Sequence, residues 1–395
     1  MIKRMAEMLE AKKNKGSELP IIIMVATTPF AVNAFLVNHI VALSKHYKII
    51  VITNILAYEI TPEILNIAEI RHVNFSRNIS LLKDIKALLK LIVLFFQVRP
   101  SVIHSITPKA GLLAMAAGFI SRSPKRWHTF TGQVWVTREG LIRNILKVLD
   151  KLIVSMATRV FADSLSQCLL LENEGVVHLD QISVLGPGSI SGVDLNRFHP
   201  DAAHYEHLRH QLGIHINVIV FLFVGRLARD KGVLDLIQAF LKLSSEVHDI
   251  ELWVVGPDEE RLQKELRKLT ENRNVSIKWF GKTSNPEYFM SAADILLLPS
   301  YREGFGSVII EAAACGIPSV AYSIDGVVDA IVNEVTGLLV EVANYEAFCL
   351  AMKRLSIDKG LRKNLGHAAK ERVINNYCGE RVTMSWVDYY LSETK

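Results

Sequence analysis

Two short segments carry the residue types from which chemistry can be built. In "GRLARDKG" (225–232), Arg226 and Lys231 stand directly after the apolar run "VIVFLFV" (218–224). A strand end, a glycine turn, two cations and a helix starting near Gly232 together make an anion site, because a helix N-terminus favours negative charge. A hydrogen bond to a charged group is worth about 1.5–3 kcal/mol, so two cations on a departing diphosphate would stabilise the charge that grows there. Taken alone, the same pair also reads as solvated loop charges. The second segment, "SYREGFGSVIIEAAACGIP" (300–318), follows the run "DILLLP" (294–299) and sets Glu303 eight positions before Glu311. Gly304 and Gly306 permit close backbone approach and unusual φ. With a helix from Ser307, the amides of 305–308, Phe305 and Ser307 among them, would cradle phosphate or sugar oxygens. Glu303 at the loop mouth and Glu311 one turn into the helix can accept hydrogen bonds from paired hydroxyls. Taken one at a time, they are better read as a solvated loop residue and a first-turn glutamate favoured by the macrodipole.

The elements that must position these residues form two series of short apolar runs alternating with helical stretches. The first holds "IIIMVA" (21–26), "YKIIVIT" (47–53), "SVIH" (101–104), "RWHTF" (126–130), "RVFA" (159–162) and "ISVL" (182–185). The second holds "VIVFLFV", "IELWVV" (250–255), "VSIKWF" (275–280), "DILLLP" and "PSVAY" (318–322). Near-continuous apolar runs at βα spacing suit parallel strands buried on both faces, so the fold class is α/β with two Rossmann-like doubly wound domains. A length of 395 residues agrees with two domains. The pattern lapses in "GPGSISGVDLNRFHPD" (186–201), which divides a domain over 20–190 from one over 205–375 through a linker at 191–204. Residues 1–19 read as a polar extension, and 376–395 as a C-terminal helix that packs back on the first domain.

Composition narrows the function classes. Residues 1–197 hold 23 Lys and Arg against 14 Asp and Glu, and the remainder 22 against 26. A basic first half should face phosphate or anionic lipid; no basic run with interleaved aromatics suggests nucleic acid. Cys168, Cys315, Cys349 and Cys378 lack metal-ligand spacing, which fits a reducing compartment. No signal peptide precedes the first strand, and no run is long enough to span a bilayer, so a cytoplasmic protein is expected. No cofactor is expected, and the absence of G-x-G-x-x-G after the early strands disfavours a dinucleotide-dependent oxidoreductase.

"GRLARDKG" followed about 75 residues later by "EGFGSVIIEAAACGIPSVA" resembles the donor domain of retaining glycosyltransferases of family 4, and "SGVDLNRF", "VVGPDEE" and "VTGLLV" extend the resemblance over most of the chain. That family has the GT-B fold, two Rossmann-like domains facing across a cleft. The resemblance implies a retaining, metal-independent transferase that moves a hexose or N-acetylhexosamine from a UDP-sugar to a lipid-linked glycan acceptor in bacterial polysaccharide, O-antigen or capsule synthesis. It implies that Arg226 and Lys231 hold the diphosphate and Glu311 the ribose. Glu303 with Gly304, Phe305, Gly306 and Ser307 addresses the transferred sugar. His128, in "KRWHTFTGQVW" (125–135), matches a histidine near the anomeric centre, although a lone histidine is more often structural. Lys109, in "HSITPKAG" (104–111), is a candidate for an acceptor phosphate. The loop after the first strand, "ATTPFAVNAF", lacks the Gly-Gly pair of many relatives. A sugar-nucleotide epimerase of the same architecture and an inactive scaffold are the competing readings.

Two helical stretches raise a membrane contact. "SLLKDIKALLKLIVLFFQVRP" (80–100) carries Lys83, Lys86 and Lys90 before an apolar patch, and "TREGLIRNILKVLDKLIVSMATR" (137–159) sets Arg143, Lys147 and Lys151 four apart. Such helices can lie on an anionic bilayer; equally, they are core-facing helices with solvated cationic faces.

Overall fold

The computed structural model describes residues 19–56, 58–75, 80–271 and 273–394. Most of the expected polar extension, residues 1–18, lies outside the described residues. Thirteen strands form two parallel sheets. The first contains β1 (Ile21–Val25), β2 (Lys48–Thr53), β3 (Ala68–His72), β4 (Val102–Ser105), β5 (Lys125–Phe130), β6 (Arg159–Ala162) and β7 (Ile182–Val184), in the order β3-β2-β1-β4-β5-β6-β7. The second contains β8 (Ile219–Val224), β9 (Ile250–Val255), β10 (Ile277–Gly281), β11 (Ile295–Leu298), β12 (Ser319–Tyr322) and β13 (Gly337–Val340), in the order β10-β9-β8-β11-β12-β13. Both orders run outward from a first strand and then reverse, which is the doubly wound, Rossmann-like arrangement. The chain packs as two compact units, one of the described residues up to His128 with 156–158 and Thr394, the other of Thr129–Ser155 and Arg159–Glu393.

The apolar runs become strands because both faces of each are covered. In β8, Val220 and Leu222 join one core layer, which also takes Leu296, Leu298 and the helix Ser307–Ala314. Phe221 and Phe223 join the opposite layer, with Ile295, Leu297 and the helix Val233–Ser244. The period of two thus sorts a uniformly apolar run between two helix layers. Two strands escape a search for apolar runs. β3, "AEIRH", is an edge strand whose Glu69 lies within ion-pair distance of Lys48 and Arg71, and edge strands tolerate charge. β13 is only four residues long and also lies at an edge. The final helix, Gly379–Thr394, sets Trp386 and Tyr389 against Phe161 of β6, with ring centroids 6.4 and 5.1 Å apart.

The two candidate membrane helices bury little. Leu81–Val98 turns Ala87, Leu91 and Phe95 inward and leaves Leu81, Leu82, Ile85, Leu89, Val93 and Phe96 exposed. Gly140–Met156 buries only Asp150 and Ile153, while Leu141, Ile142, Ile145, Val148 and Leu152 are exposed. Here the structure corrects the sequence reading. Arg143 and Lys147 are not free for lipid: both lie 2.6 Å from Glu174 and over the Trp135 ring. Trp135 is in turn pinned by its indole N–H, which donates to Asp150 at 2.8 Å. Two of the three cations of this helix thus face the protein, Lys151 stays exposed, and the apolar side is open. Among the described residues, no helix is long and apolar enough to cross a membrane.

These burials set a contrast in stability. Leu296 is fully buried in β11 and Leu141 is 74% exposed. Leu296→Ala is expected to cost about 2–5 kcal/mol in urea unfolding, whereas Leu141→Ala should stay within about 0.5 kcal/mol of wild type.

Candidate functional site

β8 and β11 are adjacent, although helices and two other strands separate them in sequence. The strand order reverses between them, so the loops leaving their carboxyl ends border one crevice, where open α/β sheets place ligands. The loop after β8 turns through Arg226 and a single 3-10 turn, Arg229–Lys231, into the helix Val233–Ser244. Gly232 makes this turn with φ of 66°. A side chain there would overlap the Pro299 carbonyl oxygen at the end of β11, so only glycine lets the two strand ends meet.

The second loop is stitched to the first. The Tyr301 N–H donates to the Asp230 carbonyl at 2.9 Å. The Tyr301 and Tyr322 hydroxyls both donate to Asp235, at 2.5 and 2.8 Å. Burial, then the Asp235 carboxylate, raises the pKa of both phenols, so they remain donors. Arg302 donates to Asp230 at 2.7 Å, and Asp230 lies 3.5 Å from Arg226, which also donates to Glu259 at 3.0 Å. Burial pushes Asp230 upward, but Arg302, Arg226 and Lys231 outweigh it and hold the carboxyl below its ordinary range. Arg226 shows the converse: burial opposes its charge, and Glu259, Asp230 and Glu303 overcome the penalty. Lys231 reaches Glu303 at 2.5 Å, with both side chains mostly buried. Lys231 and Glu303, expected on different parts of a ligand, are therefore direct partners in this structure.

The two glycines of "EGFG" have different duties. Gly306 takes φ of 78° and caps the helix Ser307–Ala314. Gly304 has no positive φ, contrary to the sequence expectation; a side chain there would strike the Asp163 carboxylate and the Thr131 carbonyl, 2.7 Å away. Its requirement is for space alone. Phe305 turns its ring into the core, edge-on to Tyr377 at 5.1 Å, so only its backbone faces the loop. Glu311 is half-buried and has no hydrogen-bond or ion-pair partner among the described residues. Burial, reinforced by Glu287 and opposed by Arg197, pushes its pKa up to about 7.

A third element, absent from the sequence reading, holds this loop. After β6 the chain runs "DSLSQ" (163–167) into the helix Leu165–Asn173, capped by the Ser164 hydroxyl. Ser164 also donates to the Gly304 carbonyl at 3.1 Å, and Gln167 donates to the Glu303 carbonyl at 3.1 Å. Ser166 donates to Asp329 through its hydroxyl and its N–H, and accepts from the Gly326 N–H at 2.6 Å. The available sequence cue was a polar Asp-Ser turn ending an apolar strand, a common helix start. Its partners lie 136 to 163 residues away, beyond the reach of local pattern.

His128 and Lys109 lie in the first unit, each with a partner in that unit. His128 is fully buried in β5, 2.8 Å from the Ser105 hydroxyl, and its ring fills the space that Gly111 leaves open. Burial, partly offset by Ser105, lowers its pKa to about 3, so the ring is neutral at physiological pH. Lys109 lies 2.8 Å from Asp84 and is mostly buried.

The loop contact at Gly232 can be tested against a glycine of similar conformation. Gly213 has φ of 68° and nothing near its missing side chain. Gly213→Ala should cost about 1–2 kcal/mol of left-handed backbone strain, and Gly232→Ala clearly more, because the Pro299 carbonyl must also move. The difference in melting temperature between the two variants checks this.

Comparison with known proteins agrees with this geometry. Residues 205–372 match the family model for glycosyl transferases group 1. The chain is 33% identical over 316 residues to the capsular polysaccharide biosynthesis glycosyltransferase CapM of Staphylococcus aureus, covering 79% of this chain and 82% of CapM. It is 27% identical over 313 residues to the UDP-Gal:alpha-D-GlcNAc-diphosphoundecaprenol alpha-1,3-galactosyltransferase of Escherichia coli, covering 76% and 78% of the two chains. In fold it resembles Anabaena Alr3699/HepE, solved with UDP-glucose, with a TM-score of 0.76 at 19% identity over 94% of this chain and 100% of that one. The chain belongs to the glycosyl transferases group 1 family, and is a GT-B glycosyltransferase close to those that build bacterial surface glycans.

Proposed function

We propose that the protein transfers a hexose or N-acetylhexosamine from a UDP-sugar to a lipid-linked glycan, with retention of the anomeric configuration and without a metal ion. The observation that carries this reading is the arrangement around Lys231 and Glu303: two cations, two helix N-termini and a carboxylate converge where β8 and β11 end. The names of the relatives support the substrate classes. The Escherichia coli enzyme takes UDP-Gal and a diphosphoundecaprenol-linked sugar, and HepE was solved with UDP-glucose.

In this reading, Arg226 and Lys231 bind the diphosphate. Glu311, half-buried and without a partner among the described residues, accepts the ribose hydroxyls. Glu303 and the backbone of Gly304, Phe305, Gly306 and Ser307 hold the transferred sugar. The bond from the anomeric carbon to the β-phosphate oxygen breaks as Arg226, Lys231 and the helix amides take up its charge. The acceptor hydroxyl attacks from the same face, and its proton passes to the departing phosphate. His128, neutral and buried, serves near the anomeric centre as a hydrogen-bonding group, and Lys109 faces an acceptor phosphate. The domain over 205–375 holds the donor and that over 20–190 the acceptor. The exposed apolar faces of Leu81–Val98 and Gly140–Met156 rest on the cytoplasmic face of an anionic membrane, with Lys83, Lys86 and Lys151 exposed beside them.

Thermal denaturation with UDP in EDTA tests the donor site. A ligand at a hundredfold excess over its Kd stabilises by about 2.7 kcal/mol. UDP should raise the melting temperature of wild type, and Arg226→Ala and Glu311→Ala should abolish the rise; no response to any nucleotide would remove the donor assignment. Binding should strengthen from pH 6 to 8 as Glu311 ionises, and Glu311→Gln should lose that trend. Co-sedimentation with phosphatidylglycerol vesicles at low salt tests the membrane contact, and a protein left wholly in the supernatant would refute it.

A further inference from the structure

One buried group next to the sugar loop has no part in the mechanism above. Asp163, at the end of β6, is 6% exposed, and its Oδ1 has no hydrogen-bond partner among the described residues. Its Oδ2 occupies the space that a side chain on Gly304 would need, so any side chain there would collide with it. Glu303 and Asp329 are its charged neighbours, the first on the loop itself and the second on the turn bonded to Ser166. Three carboxyl groups therefore surround the two peptide units that Ser164 and Gln167 hold. Lys231 is spent on Glu303, while Arg372 donates to the Asp329 carbonyl and the Tyr377 hydroxyl. Among the described residues, no such cluster is arranged to hold a metal ion. A further titratable neighbour is the thiol of Cys168, held neutral by burial.

We propose that Asp163 is a positioning residue of the transfer site: as a neutral acid it lets the Glu303–Gly304 segment close on the helix Leu165–Asn173, and as a carboxylate it drives that segment away. A charged Asp163 would have no counterion and would face Glu303 and Asp329 in a desolvated space. Burial, opposed by a hydrogen bond from its own backbone and reinforced by Glu303 and Asp329, pushes its pKa up to about 8, so the neutral form prevails at physiological pH. The effect on donor binding grows when the diphosphate engages Lys231, because Glu303 then loses part of its counterion. This inference rests on the donor assignment proposed above.

Two measurements separate the ideas. Above pH 8, where Glu311 is already ionised, the donor KM of wild type is expected to climb up to pH 9.5, approaching about tenfold per pH unit above the transition for a one-proton switch. That of Asp163→Asn, which cannot ionise, should stay nearly flat. Ionisation of the uracil base is common to both proteins and cancels in the comparison. Parallel profiles, rising or flat, would overturn the proposal. The second readout needs no donor. The folded-state pKa lies above the unfolded value of 3.8, so the unfolded chain releases a proton that the fold retains, and wild type loses stability as pH rises from about 4 to about 8. The melting-temperature advantage of Asp163→Asn should therefore widen from pH 5 to pH 8 and then level off. A constant difference would show that Asp163 is ionised in the fold and refute the proposal, even if no UDP-sugar is a substrate. Should Asp163→Asn fail to fold, Asp329→Asn removes one of the charges that raises the Asp163 pKa, and must move the alkaline limb to lower pH; an unmoved limb refutes the proposal.

Discussion

The site depends on one ion pair, Lys231 with Glu303. Each residue lies on a loop leaving a different strand, and each side chain is mostly withdrawn from water. Desolvating two such charges costs several kcal/mol each, repaid only by close geometry; the 2.5 Å contact supplies it. The contact is possible because Gly232 lets the first loop touch the Pro299 carbonyl of the second. Together they fix the distance between a cation suited to phosphate and a carboxylate suited to hydroxyls.

Around that pair, charge is balanced locally. Glu259, Arg226, Asp230 and Arg302 alternate in sign through successive contacts. Asp235 gathers two tyrosine hydroxyls from β12 and from the second loop. Such a network holds cationic side chains in place before any anion arrives, so less ordering remains at binding. In the proposed reading, an arriving diphosphate would exchange one set of anionic partners for another.

Burial is distributed unevenly, in a way that separates the site from the surface. The six-stranded sheet sorts its side chains into two dense layers, and the helices starting at Val233 and Ser307 are anchored along those layers. Their N-termini are therefore fixed by core packing rather than by loop contacts. The helix Gly140–Met156 is the opposite case, tied down by Trp135, Asp150 and Glu174 while its apolar stripe lies open.

The sequence by itself determined a good deal. Apolar runs bounded by turn residues marked eleven of the strands, because strands buried on both faces must be apolar throughout. Of the two missed, β3 is an edge strand that carries Glu69, Arg71 and His72, so no apolar run marks it, while β13 is a short Gly-Leu-Leu-Val run. The motif residues Arg226, Lys231, Glu303 and Glu311 were legible because strand ends and helix starts leave local marks. Pairing was not legible. That Lys231 meets Glu303, that Arg143 and Lys147 turn to Glu174, and that Gly304 is glycine for room rather than for φ all follow from contacts between distant segments. Asp163, Ser166 and Asp329 escaped for the same reason, since nothing within a few residues of a buried carboxyl records what faces it across the fold. Local periodicity is set by the nearest turn of backbone, whereas desolvation and charge pairing are set by the tertiary structure that closes around it.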